Sequence, residues 1–297
     1  MMPGEVGRSR PSGLAYYWRA FRTGLAFVVF GAGALVVAFV LIPLLRVLPD
    51  GRRDPTIRVQ SVVHHGFRWF ERFMSILGLI HVSRVGFDRL QGGGPRLVIA
   101  NHPTLIDVVL LGASLPQADC IVKKAAWRNR YLRGVAAAAG YLPNDEGEEL
   151  VEACVSRLRR DRTLLMFPEG TRSPRRRLGR VQRGAAHVAL RSGVPLLPVV
   201  ITCDPPMLMK GQPWYDVPER TAHLTLAAQE PIEPAAFAAA RLSTPAAARR
   251  LSREIEAAFL RGCRHAEGGP PGPDPHGGPP PSAWKPGCGA PVEVDAP

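Results

Sequence analysis

An uncharged apolar run at residues 24–45 limits the folds open to this chain more than any other segment does. About 20 apolar residues in a helix cross the hydrocarbon core of a bilayer, so the run predicts a membrane anchor. A cleaved signal peptide fits less well, because its apolar core is usually about 7 to 15 residues long. A shallow or hairpin insertion also fits, since arginines flank both ends of the run and Pro43 can bend it.

The segments on either side of this run differ in character. Residues 1–23 form a basic N-terminal segment. In residues 46–89, aromatic and aliphatic side chains between Phe67 and Ile80 recur at near-helical spacing, with charged residues among them. This pattern predicts an amphipathic helical connector. Such a helix either packs on the following domain or lies at the membrane interface. The same apolar periodicity is compatible with both arrangements.

Short apolar runs alternate with helical patterns through residues 90–262, which predicts an α/β domain with a sheet flanked by helices. The predicted strands cover residues 96–100, 119–122, 163–167, 196–202 and 222–227. The predicted helices cover residues 105–114, 127–139, 148–160, 182–192 and 246–260. Proline and glycine dominate residues 263–297 without apolar periodicity, so we expect a disordered tail there.

Charge and cysteine content narrow the classes of function. The formal net charge is +13 and the pI is about 10.4, which suits nucleic acid, anionic lipid or an acidic carrier protein. Only 7% of the residues are aromatic and no nucleic-acid-binding signature is present, so together with the apolar run the composition argues against nucleic acid. The five cysteines show no metal-binding spacing, and we expect no metal site.

The first candidate site follows the predicted strand 96–100. Asn101, His102 and Pro103 come at its end, and Thr104 stands three residues before Asp107. The Thr-x-x-Asp spacing is typical of a helix capping box, in which the carboxylate satisfies the helix terminus. A carboxylate in a first helical turn can also orient a histidine in the preceding loop as a general base. The pattern alone leaves both interpretations open.

The second candidate site follows the predicted strand 163–167. The turn after Pro168 contains an acid, a glycine, a threonine and an arginine, which are Glu169, Gly170, Thr171 and Arg172. The arginine has the planar donor fork that matches a phosphate, and the glycine permits positive φ or close approach of a ligand. Such a turn taken alone is also typical of an ordinary polar surface loop.

These motifs in this order resemble the PlsC-like lysophospholipid acyltransferases. The resemblance rests on His102-x4-Asp107 after Asn101, on residues 167–172 and on the Val-Pro-Leu-Leu-Pro-Val segment at 194–199. It covers roughly residues 90–230, about half of the chain. It implies a glycerolipid-acyltransferase-like sheet flanked by helices, and transfer of a fatty acyl group from acyl-CoA or acyl carrier protein to a lysophospholipid hydroxyl without a cofactor.

The resemblance also implies roles for individual residues. His102 would act as general base supported by Asp107, the residues 169–172 would bind the acceptor, and residues 195–199 would line the acyl-chain pocket. The expected product is phosphatidic acid, made at the inner membrane with the catalytic domain on the cytoplasmic face. Two alternatives are an acyltransferase for a different bacterial lipid or polyene acceptor, and a membrane scaffold that has lost catalysis.

One position departs from the family pattern. Members acting on lysophosphatidic acid carry an arginine where this chain has Glu146, in the stretch after Gly140. An anion there would repel a phosphate and removes a bidentate donor, so it disfavours recognition of glycerol phosphate. The acids at 145 and 146 are equally explained as the start of the helix predicted from residue 148, because acids stabilise a first helical turn.

Overall fold

The fold is known from a computed structural model, which describes residues 13–48, 54–90, 94–123, 127–128, 130–144, 147–174, 178–238 and 244–268. A continuous helical run at Leu14–Val47 consists of α1 (Leu14–Val36), a π-helical segment (Val37–Leu41) and α2 (Ile42–Val47). The further helices are α3 (Pro55–Ile76), α4 (Asp107–Gly112), α5 (Arg130–Ala138), α6 (Glu148–Arg159), α7 (Gly184–Ser192), α8 (Ala235–Ala238) and α9 (Thr244–Gly268).

In the described residues, seven strands form one mixed sheet in the order β1-β7-β6-β2-β5-β3-β4. They are β1 (Ile80–Val85), β2 (Arg96–Ala100), β3 (Ala118–Val122), β4 (Leu142–Pro143), β5 (Thr163–Met166), β6 (Leu196–Asp204) and β7 (Ala222–Ala228). The strands from β6 to β4 in this order are parallel, whereas β7 pairs antiparallel to β6 and parallel to β1. The carboxyl ends of β2, β3, β5 and β6 therefore lie at one edge of the sheet.

Helices cover both faces of the sheet, so its central strands are buried on both sides and read as nearly continuous apolar runs. Along β2, Val98 and Ala100 enter a core beneath α1, α3 and α4. Leu97 and Ile99 enter a second core beneath α6, α7 and α9. The alternation follows from the period of two in a strand, and it confirms the predicted α/β class with helices on the sheet.

The predicted strands 96–100, 119–122, 163–167, 196–202 and 222–227 correspond to β2, β3, β5, β6 and β7 within two residues. The connector 46–89 needs correction, because it contains β1 after the helix α3. The hydrophobic pattern around Ile80 was assigned to the helix, which instead ends near the positive φ of Gly78. β1 then pairs with β7, a neighbour more than a hundred residues away in sequence that no local pattern indicates.

The C-terminal helix is longer than predicted. Its helical pattern was expected to end near Gly262, but α9 continues to Gly268. Gly262 lies close to Val200 and Gln229, where a Cβ would meet side-chain atoms of both, so the glycine permits close packing of the helix on the sheet. The first residues of the predicted disordered tail are therefore helical. Residues 269–297 lie outside the described part of the chain.

The Leu14–Val47 run is the one helical segment in the described residues that is long and apolar enough to cross a membrane. Its first half is packed along the domain. Arg22 donates a hydrogen bond from Nη1 to the carbonyl of Leu77 (2.6 Å), and the ring of Phe30 lies 5.0 Å from that of Phe70 in α3. Other side chains of the run are exposed, among them Trp18, Phe21, Val28 and Phe39.

Candidate active site

The two sequence motifs meet at the carboxyl edge of the sheet. β2 and β5 are parallel neighbours with Ile99 opposite Met166, so the loops that follow them leave the sheet side by side. One loop carries His102 and the other carries Glu169 and Arg172. The rings of His102 and Phe167 lie 4.5 Å apart between centroids. Residues separated by more than sixty positions thus form one site because parallel strands end at the same edge.

His102 and Asp107 form a direct pair. Nδ1 of His102 lies 2.8 Å from Oδ2 of Asp107, and because the ionised carboxylate only accepts, the Nδ1–H donates. In the neutral ring Nε2 then keeps its lone pair, and it has no hydrogen-bond partner among the described residues. The histidine side chain is 14% exposed and the aspartate is fully buried. This arrangement presents a base to solvent while its orienting carboxylate is shielded.

Asp107 also organises the loop around itself. Its Oδ2 accepts from the backbone N–H of Thr104 (2.7 Å), and its Oδ1 accepts from the hydroxyl of Thr104. Burial raises the pKa of Asp107, while the hydrogen bonds and charge of His102 and the bonds from Thr104 oppose that rise. The helix begins at Asp107 rather than at residue 105, so the reciprocal capping box with Thr104 as the cap is not formed. The carboxylate of Asp107 nevertheless both stabilises the turn, through Thr104, and orients the imidazole of His102.

Asn101 is a residue of this site for which the sequence analysis found no role. Its Nδ2 donates to the carbonyl of Ile201 (2.9 Å), and its Oδ1 accepts from the N–H of the same residue (2.7 Å). The buried side chain therefore continues the pairing between β2 and β6 by one residue after β2 has ended. It fixes where the histidine loop leaves the sheet. Its place directly before His102 was the only local signal.

Glu169 lies beneath the histidine loop instead of facing a ligand. Its Oε1 accepts from the backbone N–H of His102 (3.0 Å) and from the hydroxyl of Ser173 (2.6 Å), and its Oε2 accepts from the N–H of Gly179 (2.7 Å). The N–H of Ser173 in turn donates to the carbonyl of His102 (2.7 Å). Burial raises the pKa of Glu169, whereas the hydrogen bonds that its carboxylate accepts lower it. The geometry favours a positioning role for Glu169 over the predicted contact with the acceptor.

The other three residues of the second motif occupy different environments. Gly170 has φ +67, a backbone conformation that favours glycine, and it lies close to the end of the Gln182 side chain. Thr171 is partly exposed beside it. Arg172 donates from Nη1 to the carbonyls of Leu208 and Met209 (3.2 Å each), which ties this loop to the one between β6 and β7.

A small cavity of about 50 Å³, partly open to solvent, lies between α3, α4 and the sheet. Its lining is mostly apolar and includes Phe67 and Val108, the residue after Asp107. Residues 195–199, predicted to line an acyl-chain pocket, do not contribute to this cavity. They belong mainly to β6, and they are held in the centre of the sheet by pairing with β2.

Two acids singled out in the sequence are not described by the structure. Glu146 and its neighbour Asp145 both lie outside the described residues. Within the described residues, no group of three or more His, Cys, Asp or Glu side chains has the arrangement needed to hold a metal ion.

Comparison with known proteins gives consistent matches in sequence. A family model described as Acyltransferase matches residues 81–202. The chain is 28% identical over 144 residues to the 1-acyl-sn-glycerol-3-phosphate acyltransferase of Saccharomyces cerevisiae, which covers 46% of this chain and 47% of the yeast protein. It is 30% identical over 140 residues to the Haemophilus influenzae protein of the same name, covering 45% and 58%. The chain spans about half the length of the curated relatives it matches.

The fold has a close counterpart among solved structures. The crystal structure of the 1-acyl-sn-glycerophosphate acyltransferase PlsC from Thermotoga maritima superimposes with a TM-score of 0.63, covering 86% of this chain and 96% of that one at 20% sequence identity. A likeness at that identity shows the fold. The matched family segment contains both loops that meet at His102. Residues 81–202 thus form a segment that matches the Acyltransferase family model, and the chain is similar in sequence to 1-acyl-sn-glycerol-3-phosphate acyltransferases and in fold to a PlsC structure.

Proposed function

We propose that this protein is an O-acyltransferase that moves a fatty acyl group from a thioester to the hydroxyl of a lysophospholipid. The observation that carries the proposal is the His102–Asp107 pair, in which Nδ1 is bound to a buried carboxylate and Nε2 has no protein partner among the described residues. A histidine held in this tautomer has the lone pair of Nε2 free to take a proton from a hydroxyl group. No cofactor is needed for such a transfer.

In the proposed reaction His102 acts first as a general base and then as a general acid. Nε2 of His102 takes the proton of the acceptor hydroxyl as its oxygen attacks the thioester carbonyl carbon. The imidazolium that forms is stabilised by Asp107. The carbon–sulfur bond then breaks, the ester remains on the acceptor, and the departing sulfur takes the proton from Nε2. The products are an acylated lipid and a free thiol, and no acyl-enzyme forms.

The proposed acceptor is 1-acylglycerol 3-phosphate, with phosphatidic acid as the product. Its support comes from the printed names of the relatives, which are 1-acyl-sn-glycerol-3-phosphate acyltransferases. The proposed donor is acyl-CoA or acyl carrier protein. Glu146 remains a predicted obstacle to phosphate recognition.

The function is tested with purified protein in detergent, a radiolabelled acyl thioester and a panel of acceptors. Transfer to 1-acylglycerol 3-phosphate is expected at a rate well above that of a no-protein control, and the product is identified by mass. Monoacylglycerol and other lysophospholipids serve as comparison acceptors in the same panel. Exclusive use of an unphosphorylated acceptor would reassign the substrate. Failure of transfer to every acceptor would favour the alternative of an inactive membrane scaffold.

For location we propose that the Leu14–Val47 run inserts shallowly into the cytoplasmic leaflet of the inner membrane. Contacts with the domain extend from Tyr16, whose hydroxyl donates to the carbonyl of Tyr215 (2.8 Å), to Phe30. That stretch of helix is about 21 Å long at 1.5 Å per residue. A helix packed against a folded domain over this length cannot cross the bilayer there, whereas its exposed apolar side chains suit an interface.

Shallow insertion predicts that both ends of the run lie on one side of the membrane. Single cysteines introduced by Gly13→Cys and Leu48→Cys are expected to react with a membrane-impermeant maleimide in inverted vesicles and to stay unlabelled in intact spheroplasts. The unsubstituted chain gives the background labelling. Labelling of the two positions from opposite sides would show that the run spans the bilayer and would exclude this topology.

A further inference from the structure

Three basic side chains converge at the carboxyl edge of the sheet. Lys123 directly follows β3, Arg172 lies in the loop after β5, and Lys210 lies in the loop that joins β6 to β7. Strands β2, β3, β5 and β6 are parallel, so these loops leave the sheet at the same edge as the loop of His102. Lys210 belongs to none of the motifs described above. Its place in the site follows only from the topology.

Backbone contacts hold the Lys210 loop against the catalytic loop. The N–H of Leu105 donates to the carbonyl of Leu208 (3.1 Å), and Thr104 forms an isolated antiparallel bridge with Met209. The guanidinium of Arg172 binds the carbonyls of the two residues that precede Lys210. The backbone that carries Lys210 is thereby connected both to the turn organised by Asp107 and to Arg172.

The same loop is stabilised from within. Gln212 accepts at Oε1 from the N–H of Met209 (3.0 Å) and donates from Nε2 to the carbonyl of Asp216 (2.9 Å). Leu208 adopts φ +51, an unfavourable conformation for a branched side chain that the surrounding hydrogen bonds maintain. The backbone position of Lys210 is therefore fixed by the hydrogen bonds within this turn, although the side chain of Lys210 is exposed.

The charges in this cluster are all of one sign. Desolvation lowers the pKa of Lys123, and the positive charges of Lys210 and Arg172 lower it further. Within the part of the chain that the structure describes, no acidic side chain forms an ion pair with any of the three. Like charges brought together cost free energy that a bound anion relieves. A phosphate monoester, with a charge of about −1.5 to −2 near neutral pH, is an anion of suitable charge.

We propose that Lys210 binds the phosphate of the acceptor lipid and is a determinant of acceptor specificity. The inference rests on the proposed function and adds a residue to it. Glu146 stands where the family resemblance expects a phosphate-binding arginine, and Lys210 supplies a cation to the site from a different strand end. The phosphate belongs to the acceptor because the loop of Lys210 borders Thr104 and Leu105, next to the histidine that receives the acceptor hydroxyl.

The test compares Lys210→Gln with the wild type in steady-state kinetics. For 1-acylglycerol 3-phosphate the KM is expected to rise about 10-fold or more, the scale of one hydrogen bond between charged groups. The constants for monoacylglycerol should not change. Lys210→Arg should retain most of the affinity. The matched control is Arg160→Gln, which removes an exposed cation at the end of α6, at the opposite edge of the sheet, and should change nothing.

Donor phosphates are distinguished by repeating the assay with an acyl thioester of N-acetylcysteamine, which carries no phosphate. An effect of Lys210→Gln that disappears with this donor would assign the cluster to coenzyme A and overturn the proposal. An unchanged KM for the phosphorylated acceptor would overturn it as well. So would a wild type that uses only unphosphorylated acceptors.

Equilibrium binding separates this inference from the proposed function. Calorimetric titration with 1-acylglycerol 3-phosphate should show affinity in the wild type and about a 10-fold weaker affinity in Lys210→Gln. If the wild type binds in this manner but transfers no acyl group, the activity is refuted while Lys210 keeps its role. If neither protein binds the lipid, or both bind it equally, the role of Lys210 is refuted.

Discussion

Replacing His102 with alanine is expected to lower kcat/KM for acyl transfer by about 10²- to 10⁴-fold, the usual contribution of a general base. The histidine is the group at the meeting point of the two loops whose Nε2 faces no protein partner among the described residues. Its backbone hydrogen bonds to Glu169 and Ser173 use main-chain atoms and survive the substitution. The loss should therefore reflect chemistry and not the position of the loop. Single-turnover transfer of a radiolabelled acyl group measures it.

The control for this variant is His65→Ala, which removes an exposed histidine on α3. Its activity should equal that of the wild type. Thermal unfolding of His102→Ala shows whether the domain remains folded. If His102→Ala keeps its fold and retains activity within a few-fold of the wild type, His102 is not the base, and the proposed mechanism fails even if the protein proves to be an acyltransferase.

Replacing Asp107 with asparagine is expected to lower kcat by about 10²-fold or more, with little change in the free energy of unfolding. An asparagine can place its carbonyl oxygen where Oδ2 accepts from His102 and from the N–H of Thr104, and its amide can donate to the hydroxyl of Thr104. The hydrogen-bond geometry can thus be kept while the charge is removed. What is lost is the stabilisation of the imidazolium. The corresponding substitution in a serine protease triad costs about 10⁴-fold, there because the histidine is held in the wrong tautomer.

This variant separates the two interpretations that the sequence left open. If Asp107 served only to hold the turn, the asparagine would satisfy Thr104 and activity would be kept. Asp107→Ala provides the comparison, because it removes the hydrogen bonds together with the charge and should lower both activity and stability. Measuring kcat and the thermal midpoint for both variants distinguishes these outcomes. An active Asp107→Asn enzyme would contradict the catalytic role of the carboxylate charge.

The loop at residues 205–216 joins the site to the apolar helix. Its Trp214 packs 6.3 Å from the ring of Phe27 and against Gly24 of α1, while its Leu208 and Met209 contact the catalytic loop and Arg172. The helix expected at the membrane surface and the base expected to act on a lipid therefore share a single connecting segment. If α1 lies at the membrane surface as proposed, this loop joins that surface to the loop of His102.

Local patterns in the sequence were enough to predict the α/β class and the strands that form the centre of the sheet. The strands β2 and β6 are buried on both faces, so each is a nearly continuous apolar run. Such a run can be recognised in the sequence without knowing which strands are its neighbours. β1 was missed because its stability depends on pairing with β7, far away in the chain. A half-exposed edge strand after a helix shows too little local periodicity to reveal its partner.

The same division holds at the site. His102 and Asp107 were predicted as a pair because five positions in one loop suffice to bring them together. Lys210 and the binding of Ile201 by Asn101 were not predicted, and Glu169 was expected to contact a ligand rather than the backbone of His102. These contacts depend on which strands are neighbours and in which direction they run. Strand order is determined by the burial of the whole sheet and by backbone pairing between distant segments. The residues beside the site do not determine either of these.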